Sequence, residues 1–197
     1  MPPPRNGEEL LTPDPMNILI TGASRGIGAA AFSALSKAGH NVAGHSTRGG
    51  SGLIDADLAR PDAPRQLWEQ AVHALGGRID VLVNNAGIYE AVADDASDDE
   101  WHAAWARTMT VNLQASSDLS RLAIQHFRQI GGGRIVNVAS RAGYRGDSPQ
   151  HWHYAASKAA MIGVTKTIAR GYAAENILAF AVCPGFTVTE MTEEYLA

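Results

Sequence analysis

The alternation of short apolar segments with helical segments is the feature that most restricts how this chain can fold. Six short, mostly apolar segments have the character of strands, and they lie at residues 17–21, 41–46, 52–55, 79–84, 134–139 and 177–182. Segments with helical spacing lie between most of them, at residues 27–37, 62–75, 97–130 and 154–174. A strand, a crossover helix and a second strand together build a parallel sheet with helices on both faces. The predicted fold class is therefore α/β, with a doubly wound parallel sheet.

Composition places the chain among globular proteins and argues against several classes of partner. Hydrophobic residues make up 45% and charged residues 18% of the 197 residues, a balance typical of a folded domain. The net charge of −4 supplies no basic field for nucleic acid or anionic lipid, so we expect neither as a partner. The single Cys183 excludes an intrachain disulfide and a multi-cysteine zinc site, and a reduced thiol suits the cytoplasm. We expect no bound metal.

Residues 1–15 differ in composition from the rest of the chain. They contain five of the nine prolines and show little apolar periodicity, so we expect a disordered leader there. Residues 16–197 are then expected to form one domain. No apolar run in the sequence approaches the length that a membrane-spanning helix needs.

Residues 21–28, with the sequence TGASRGIG, follow the first predicted strand and open the first predicted helix. Gly22 permits a tight turn, and Gly26 and Gly28 let the backbone approach a ligand closely. The N–H groups at the start of the helix and the positive end of its dipole favour a pyrophosphate. The spacing predicts a dinucleotide-binding turn, although the same residues also fit a tight strand–helix connection that binds nothing.

A second group of polar residues has the composition of an acid–base site. Tyr154 and Lys158 are four residues apart in a predicted helix, so their side chains share one face. An ammonium beside a phenol favours the phenolate and lowers its pKa, which suits Tyr154 to proton transfer with a carbonyl or an alcohol. Ser140 directly follows the fifth strand, at the edge where open α/β sheets bind ligands. A plain surface pair would also explain the Tyr–Lys spacing, and local hydrogen bonding would explain the amide of Asn112.

Six motifs occur together in one order, and together they resemble the short-chain dehydrogenase/reductase family. They are TGASRGIG at 21–28, NNAG at 84–87, Asn112, Ser140, YAASK at 154–158 and PGFTVTEM at 184–191. The first and last motifs are similar to those of 3-oxoacyl-(acyl-carrier-protein) reductases. The resemblance covers about residues 16–191 and implies a Rossmann-type sheet with the strand order 3-2-1-4-5-6.

The resemblance implies a role for each of four polar side chains. Tyr154 would be the general acid/base, and Lys158 would lower its pKa and bond the nicotinamide ribose. Ser140 would orient the carbonyl or hydroxyl of the substrate, and Asn112 would hold a water in a proton relay to Lys158. The implied reaction is hydride transfer between a nicotinamide cofactor and a carbonyl/alcohol pair, with no metal.

Charge favours NADP(H) over NAD(H) as the cofactor. An enzyme that uses NAD places Asp or Glu about 20 residues beyond the glycine turn. This chain has no carboxylate there, and Arg48 and Arg25 would meet a 2′-phosphate instead. A solvated loop is the plainer interpretation of Arg48, and NAD(H) stays open. The expected cofactor-binding residues are Gly22, Ser24, Arg25, Gly26, Ile27, Gly28, Ser46, Arg48, Asp57, Leu58, Asn84, Ala86, Gly87, Tyr154, Lys158, Pro184, Gly185, Thr187 and Thr189.

The sequence departs from the family pattern in two places. The glycine-rich loop at 49–52 stands where the family has a full helix, a feature that some pterin reductases share. The chain also stops at Ala197, where the family continues through a substrate-covering helix pair and a seventh strand, so it is either naturally short or a fragment. A dinucleotide-binding sensor or assembly subunit without catalysis is therefore the rival to the enzyme. We expect a small-molecule substrate and a homodimer or homotetramer.

Overall fold

A computed structural model describes residues 14–50 and 52–187 of the chain. The leader expected at 1–15 lies mostly outside these residues, and the cofactor contact expected from Thr189 lies wholly outside them.

The described residues build one parallel six-stranded sheet. Its order is β3-β2-β1-β4-β5-β6, which confirms the predicted α/β class and strand order. The register pairs Ile20 of β1 with Gly44 of β2 on one side and with Val83 of β4 on the other. The strands are β1 (Asn17–Ile20), β2 (Asn41–Ser46), β3 (Ile54–Asp55), β4 (Val81–Asn84), β5 (Gly133–Val138) and β6 (Ile177–Val182). Because all strands are parallel, their carboxyl ends meet at one edge of the sheet.

Helices connect the strands as crossovers. They are α1 (Gly26–Lys37), α2 (Ala63–Ala74), α3 (Asp98–Met109), α4 (Ala115–Ile130), α5 (Ala142–Arg145) and α6 (Trp152–Tyr172), with a 3-10 turn at Ala173–Glu175. The predicted single helix at 97–130 is interrupted: a π-helical turn at Thr110–Gln114 joins α3 to α4. Ser97 caps α3 by accepting from the Glu100 N–H, while Glu100 bonds back to the Ser97 N–H. Gly131, with φ of 85°, ends α4.

Alternating strand residues bury the two faces of the sheet. Leu19, Leu82 and Ile135 point into the larger core, where they meet residues of α2, α4 and α6 such as Leu67 and Phe127. The other face holds a smaller cluster of Ile18, Ile20, Ala23 and Val81, against which Ala31, Phe32 and Leu35 of α1 pack. Burying a Leu or Ile side chain stabilises the fold by about 1.5–3 kcal/mol, so these strands are the stable frame that carries the site.

The connection from β2 to β3 is short, as the sequence predicts. Within its described residues it contains an isolated bridge between Gly50 and Leu53 and no helix. No helix in the described part of the chain is long and apolar enough to span a membrane.

Candidate active site

The glycine turn is held in shape by residues from the neighbouring strand β4. The Thr21 hydroxyl oxygen accepts hydrogen bonds from the N–H groups of Asn85 and Ala86, at 3.0 and 2.9 Å. The Asn85 amide donates to the carbonyl oxygens of Thr21 and Gly22, each at 3.0 Å. These bonds couple the TGASRGIG and NNAG motifs, so one rigid edge presents both.

The turn has the shape that a pyrophosphate needs. Gly22 has φ of +67°, a conformation that favours glycine. A Cβ on Gly28 would overlap the Gly22 carbonyl, so only glycine lets α1 start this close to β1. The Arg25 side chain does not cap α1, and this end of the helix follows β1 at the carboxyl edge of the sheet. These features fit a dinucleotide at this turn.

The residues expected around the adenosine lie at the ends of β2, β3 and β4, but several side chains point inward. Leu58 is buried in the larger core, so only its backbone is available at the edge. The Asn84 amide donates to the Asn137 and Ser120 side chains, and Asn84 is 1% exposed. The Ser46 hydroxyl donates to the Gly49 carbonyl at 3.0 Å. Cofactor contacts from these residues stay predictions.

The charged residues of the same region lie at the surface. Arg25 and Arg48 are exposed at the ends of the adjacent strands β1 and β2. Asp57 is also exposed, and its carboxylate accepts from the Ala59 N–H at 3.0 Å. A phosphate at this corner would therefore meet two guanidinium groups and one carboxylate.

Ser140, Tyr154 and Lys158 come together at the carboxyl ends of β5 and β6. The Ser140 hydroxyl lies near enough to the Tyr154 phenol to lower its pKa. Lys158 is 4% exposed, and its ammonium lies 5.8 Å from the centre of the Tyr154 ring and donates to the Val138 carbonyl at 2.9 Å. The helical spacing of Tyr154 and Lys158 thus places both on the face of α6 that meets β5.

Asn112 joins this group from the π-helical turn. Its Oδ1 accepts from the Ile88 N–H at 2.8 Å, and its Nδ2 donates to the Ile88 carbonyl and to Ser157 at 3.0 and 3.3 Å. A Cβ on Gly87 would lie 3.3 Å from Asn112 Oδ1 and 3.6 Å from Lys158 Nζ, so the NNAG segment packs directly on both. The side chain of Asn112 is occupied by these bonds, and its water-holding role stays a prediction.

Burial is the largest influence on the pKa values of Tyr154 and Lys158. Burial raises the pKa of the Tyr154 phenol and Asp147 raises it further, while the Ser140 hydroxyl lowers it. Because burial is the largest influence, the net shift is upward, opposite to the lowering that the Tyr–Lys spacing predicts. Burial lowers the pKa of Lys158 to about 8, against an ordinary value of 10.5.

The segment after β6 reaches the same edge. The Pro184 carbonyl accepts from the Arg141 N–H at 3.1 Å, which ties this segment to the loop after Ser140. The Thr187 hydroxyl donates to the Gly185 carbonyl at 3.4 Å. The placement of Pro184, Gly185 and Thr187 beside Ser140 is consistent with the expected nicotinamide contacts, which stay predictions.

An aromatic wall, formed by Tyr89 and His151, stands beside Tyr154. The rings of Tyr89 and His151 stack at 3.8 Å, and Tyr89 meets Tyr154 edge-on at 4.7 Å. The Tyr89 hydroxyl donates to Asp147 at 3.1 Å, and Ser148 is 2.7 Å from His151 Nδ1. Among the described residues no three His, Cys, Asp or Glu side chains are grouped to hold a metal.

Sequence reasoning did not select Thr21, His45, Asn85 or Tyr89. Thr21 and Asn85 lie inside the TGASRGIG and NNAG motifs, and His45 is the penultimate residue of β2. Their polar side chains at the carboxyl ends of parallel strands are the signal that could have identified these three, whereas Tyr89 lies in the loop beyond β4 and carries no such signal.

Comparison with known proteins identifies the family of the chain. A family model described as short chain dehydrogenase matches residues 16–197. A 3-oxoacyl-(acyl-carrier-protein) reductase of Thermotoga maritima is 36% identical over 192 residues, which cover 89% of this chain and 76% of that protein. The structure of a putative short-chain alcohol dehydrogenase from Sinorhizobium meliloti has a TM-score of 0.81 at 32% identity, covering 90% of this chain and 75% of the other.

A second solved structure carries a cofactor. It is the 3-ketoacyl-(acyl-carrier-protein) reductase of Brucella melitensis in complex with NADH, with a TM-score of 0.78 at 27% identity, covering 88% of this chain and 77% of that one. The family match, the sheet order and the Ser–Tyr–Lys geometry lead to one conclusion. The chain belongs to the short-chain dehydrogenase/reductase family and is an NAD(P)-dependent oxidoreductase of that family.

Proposed function

We propose that the protein is an NADP(H)-dependent carbonyl reductase in which Tyr154 is the general acid. The observation that carries this proposal is the convergence of Ser140, Tyr154 and Lys158, with the Ser140 hydroxyl near the phenol and the buried ammonium 5.8 Å from the centre of the phenol ring. A bound nicotinamide would supply the hydride. The chain itself must hold the carbonyl oxygen and give it a proton.

The proposed roles follow from the positions of the side chains. Ser140 holds the substrate oxygen beside the Tyr154 hydroxyl, so proton transfer needs no further movement. The raised pKa of Tyr154 keeps the phenol protonated at neutral pH, which is the form that carbonyl reduction requires. The Lys158 ammonium stabilises the phenolate as it forms. Asn112, bonded to Ser157 in the layer behind Lys158, would hold the water that returns the proton.

A Tyr154 variant distinguishes the enzyme hypothesis from the alternative that the protein is a non-catalytic sensor or assembly subunit. The test measures NADPH oxidation with a panel of 3-oxoacyl thioesters, simple ketones and oxidised pterins. If the protein is an enzyme, it turns over at least one of these substrates. Tyr154→Phe is then expected to lower that turnover by about 10²–10⁴-fold and to keep cofactor binding. Turnover that survives in Tyr154→Phe, or cofactor binding without any turnover, would refute the proposal.

The substrate proposal follows the relatives. Two of the similar proteins described above are named as reductases of 3-oxoacyl or 3-ketoacyl groups, so a 3-oxoacyl thioester is the substrate class that we propose. Pterin reduction is the second candidate, since the connection between β2 and β3 contains no helix in its described residues, as in some pterin reductases. The panel above distinguishes these two classes directly.

The preference for NADP(H) is proposed from the two exposed arginines. Arg25 and Arg48 flank the corner where a 2′-phosphate would lie, and guanidinium–phosphate pairs are charge-assisted. Arg48→Glu is expected to weaken NADPH binding far more than NADH binding in a fluorescence titration. Arg170→Glu, an exposed change on α6, is the matched control. Equal losses for the two cofactors would contradict this assignment.

Assembly and location are further proposals. A groove between α4 and α6 is lined by apolar and charged side chains, among them Ile124, Val164, Tyr172 and Arg128. A homodimer that pairs these helices would cover it, with a tetramer as the alternative, and light scattering coupled to size-exclusion chromatography measures which forms. We also propose a cytoplasmic location, because the single free thiol of Cys183 suits a reducing compartment.

A further inference from the structure

His45 lies at the end of β2, and its imidazole is 1% exposed. Its Nδ1 accepts a hydrogen bond from the Gly22 N–H at 3.2 Å, and its Nε2 lies 2.8 Å from the Ala56 carbonyl oxygen. A backbone N–H can only donate and a carbonyl can only accept. The ring is therefore neutral, with its single proton on Nε2.

These two bonds join separate parts of the cofactor site. Gly22 opens the glycine turn, while Ala56 directly precedes Asp57, at the expected adenine side. The backbone carbonyl of His45 also accepts from the Ala23 N–H at 2.7 Å, so His45 fixes the first two amides of the turn. Because β3 has only two residues, the imidazole is a substantial part of what ties this segment to the sheet.

We propose that His45 is a positioning residue for the dinucleotide: its neutral imidazole holds the glycine turn against the adenine-side segment, and its protonation releases the turn. A protonated ring carries an N–H on Nδ1 as well. That N–H would face the Gly22 N–H, donor against donor, inside the protein. Cofactor affinity then depends on the protonation of a residue that does not touch the reacting atoms.

The groups around the His45 ring determine the pH at which it becomes protonated. Burial lowers the pKa of His45, while the bond to the Ala56 carbonyl and the Asp55 carboxylate on β3 raise it. Asp55 is the charged group that acts on the ring, and the β1 side presents the Gly22 backbone. Because burial is the largest influence, protonation and the loss of affinity are expected below pH 6.5.

The experiment is a calorimetric titration of the full chain with NADP⁺ and with NAD⁺ between pH 7.5 and pH 5. His45→Gln keeps an acceptor and a donor that do not titrate, and His45→Leu removes both. His73→Gln, at an exposed position on α2, is the matched control. Titration of the ligand's own 2′-phosphate is common to all variants, so it cancels in the ratio of wild-type to variant affinity.

At pH 7.5, His45→Gln is expected to bind within about threefold of wild type, and His45→Leu about tenfold more weakly for both cofactors. As pH falls to 5, the wild-type affinity should fall relative to that of His45→Gln, while His73→Gln follows wild type. A constant ratio between wild type and His45→Gln from pH 7.5 to 5 overturns the proposal. Equal binding by His45→Leu and wild type at pH 7.5 overturns it as well.

Discussion

The burial of Lys158 predicts that this residue, which we propose to be needed for catalysis, lowers the stability of the folded protein. The ammonium is 4% exposed, and burial lowers its pKa from 10.5 to about 8. Each unit of pKa corresponds to about 1.4 kcal/mol, so keeping this charge in the folded protein costs about 3 kcal/mol at pH 7. Lys158→Met removes the charge and keeps most of the volume.

The expected gain is smaller than the full cost because the lysine also makes one hydrogen bond. Its loss leaves the Val138 carbonyl without that donor, which costs about 1 kcal/mol. The net prediction is that Lys158→Met raises the free energy of unfolding by about 2 kcal/mol at pH 7. The same variant loses carbonyl reduction, since the phenolate of Tyr154 no longer meets a cation.

The sign of the pH dependence gives the sharper check. The unfolded lysine binds its proton up to pH 10.5 and the folded one only up to about 8, so wild-type stability rises between these values. At pH 9.5 the cost of the charge has fallen to about 1 kcal/mol, and the advantage of Lys158→Met disappears. Urea unfolding followed by tryptophan fluorescence at pH 7 and 9.5 measures both quantities.

Lys166→Met is the matched control, since Lys166 is exposed on the same helix α6. It is expected to change the free energy of unfolding by less than about 0.5 kcal/mol at either pH. A Lys158→Met variant that is destabilised at pH 7, or that gains equally at pH 7 and 9.5, would refute the argument from burial.

Three further predictions follow from the site and the fold. Turnover with a carbonyl substrate, measured as kcat/KM, should fall about tenfold from pH 7 to pH 9, because Lys158 with a pKa of about 8 loses its charge over that range; a flat profile would contradict this. Gly28→Ala should abolish cofactor binding in a fluorescence titration, because a Cβ there overlaps the Gly22 carbonyl. Ser97→Ala should lower the free energy of unfolding by about 1 kcal/mol in urea, because α3 loses its cap.

The central strands could be predicted from the sequence because their apolar, strand-like residues are also buried in the sheet. Residues such as Leu19 and Ile135 are β-branched or apolar, stand between turn signals and lie in the middle of the sheet. The predicted third strand at 52–55 is longer than the observed strand, Ile54–Asp55. Gly52 has a positive φ, which is not an extended-strand conformation, so Gly52 does not pair with the neighbouring strand. Strand ends depend on backbone pairing, which a single sequence does not display.

The sequence predicts which residues lie near the candidate site, but it does not predict in which direction their side chains point. Asn84 ends β4 and Leu58 lies shortly after β3, where cofactor residues are expected, yet the Asn84 amide bonds Asn137 and the Leu58 side chain enters the core. Strand alternation decides which face a side chain takes, and a shift of one residue reverses it. The pKa of Tyr154 shows the same limit, because burial is the largest influence on it and burial is not visible in the Tyr–Lys spacing.

The π-helical turn at Thr110–Gln114 shows why the sequence placed Asn112 only through a resemblance. Helical periodicity through residues 97–130 is nearly continuous, and it gives Asn112 no distinct position. The wider turn adds one residue and so changes the direction in which side chains leave the helix between α3 and α4. Asn112 is fully buried there, and the oxygen and the nitrogen of its side-chain amide both bond the backbone of Ile88. Two bonds to Ile88 hold the segment after NNAG against the π-helical turn, and the bond from Asn112 to Ser157 joins that turn to α6. The irregular turn is therefore what brings β4, the helix and Lys158 into one site.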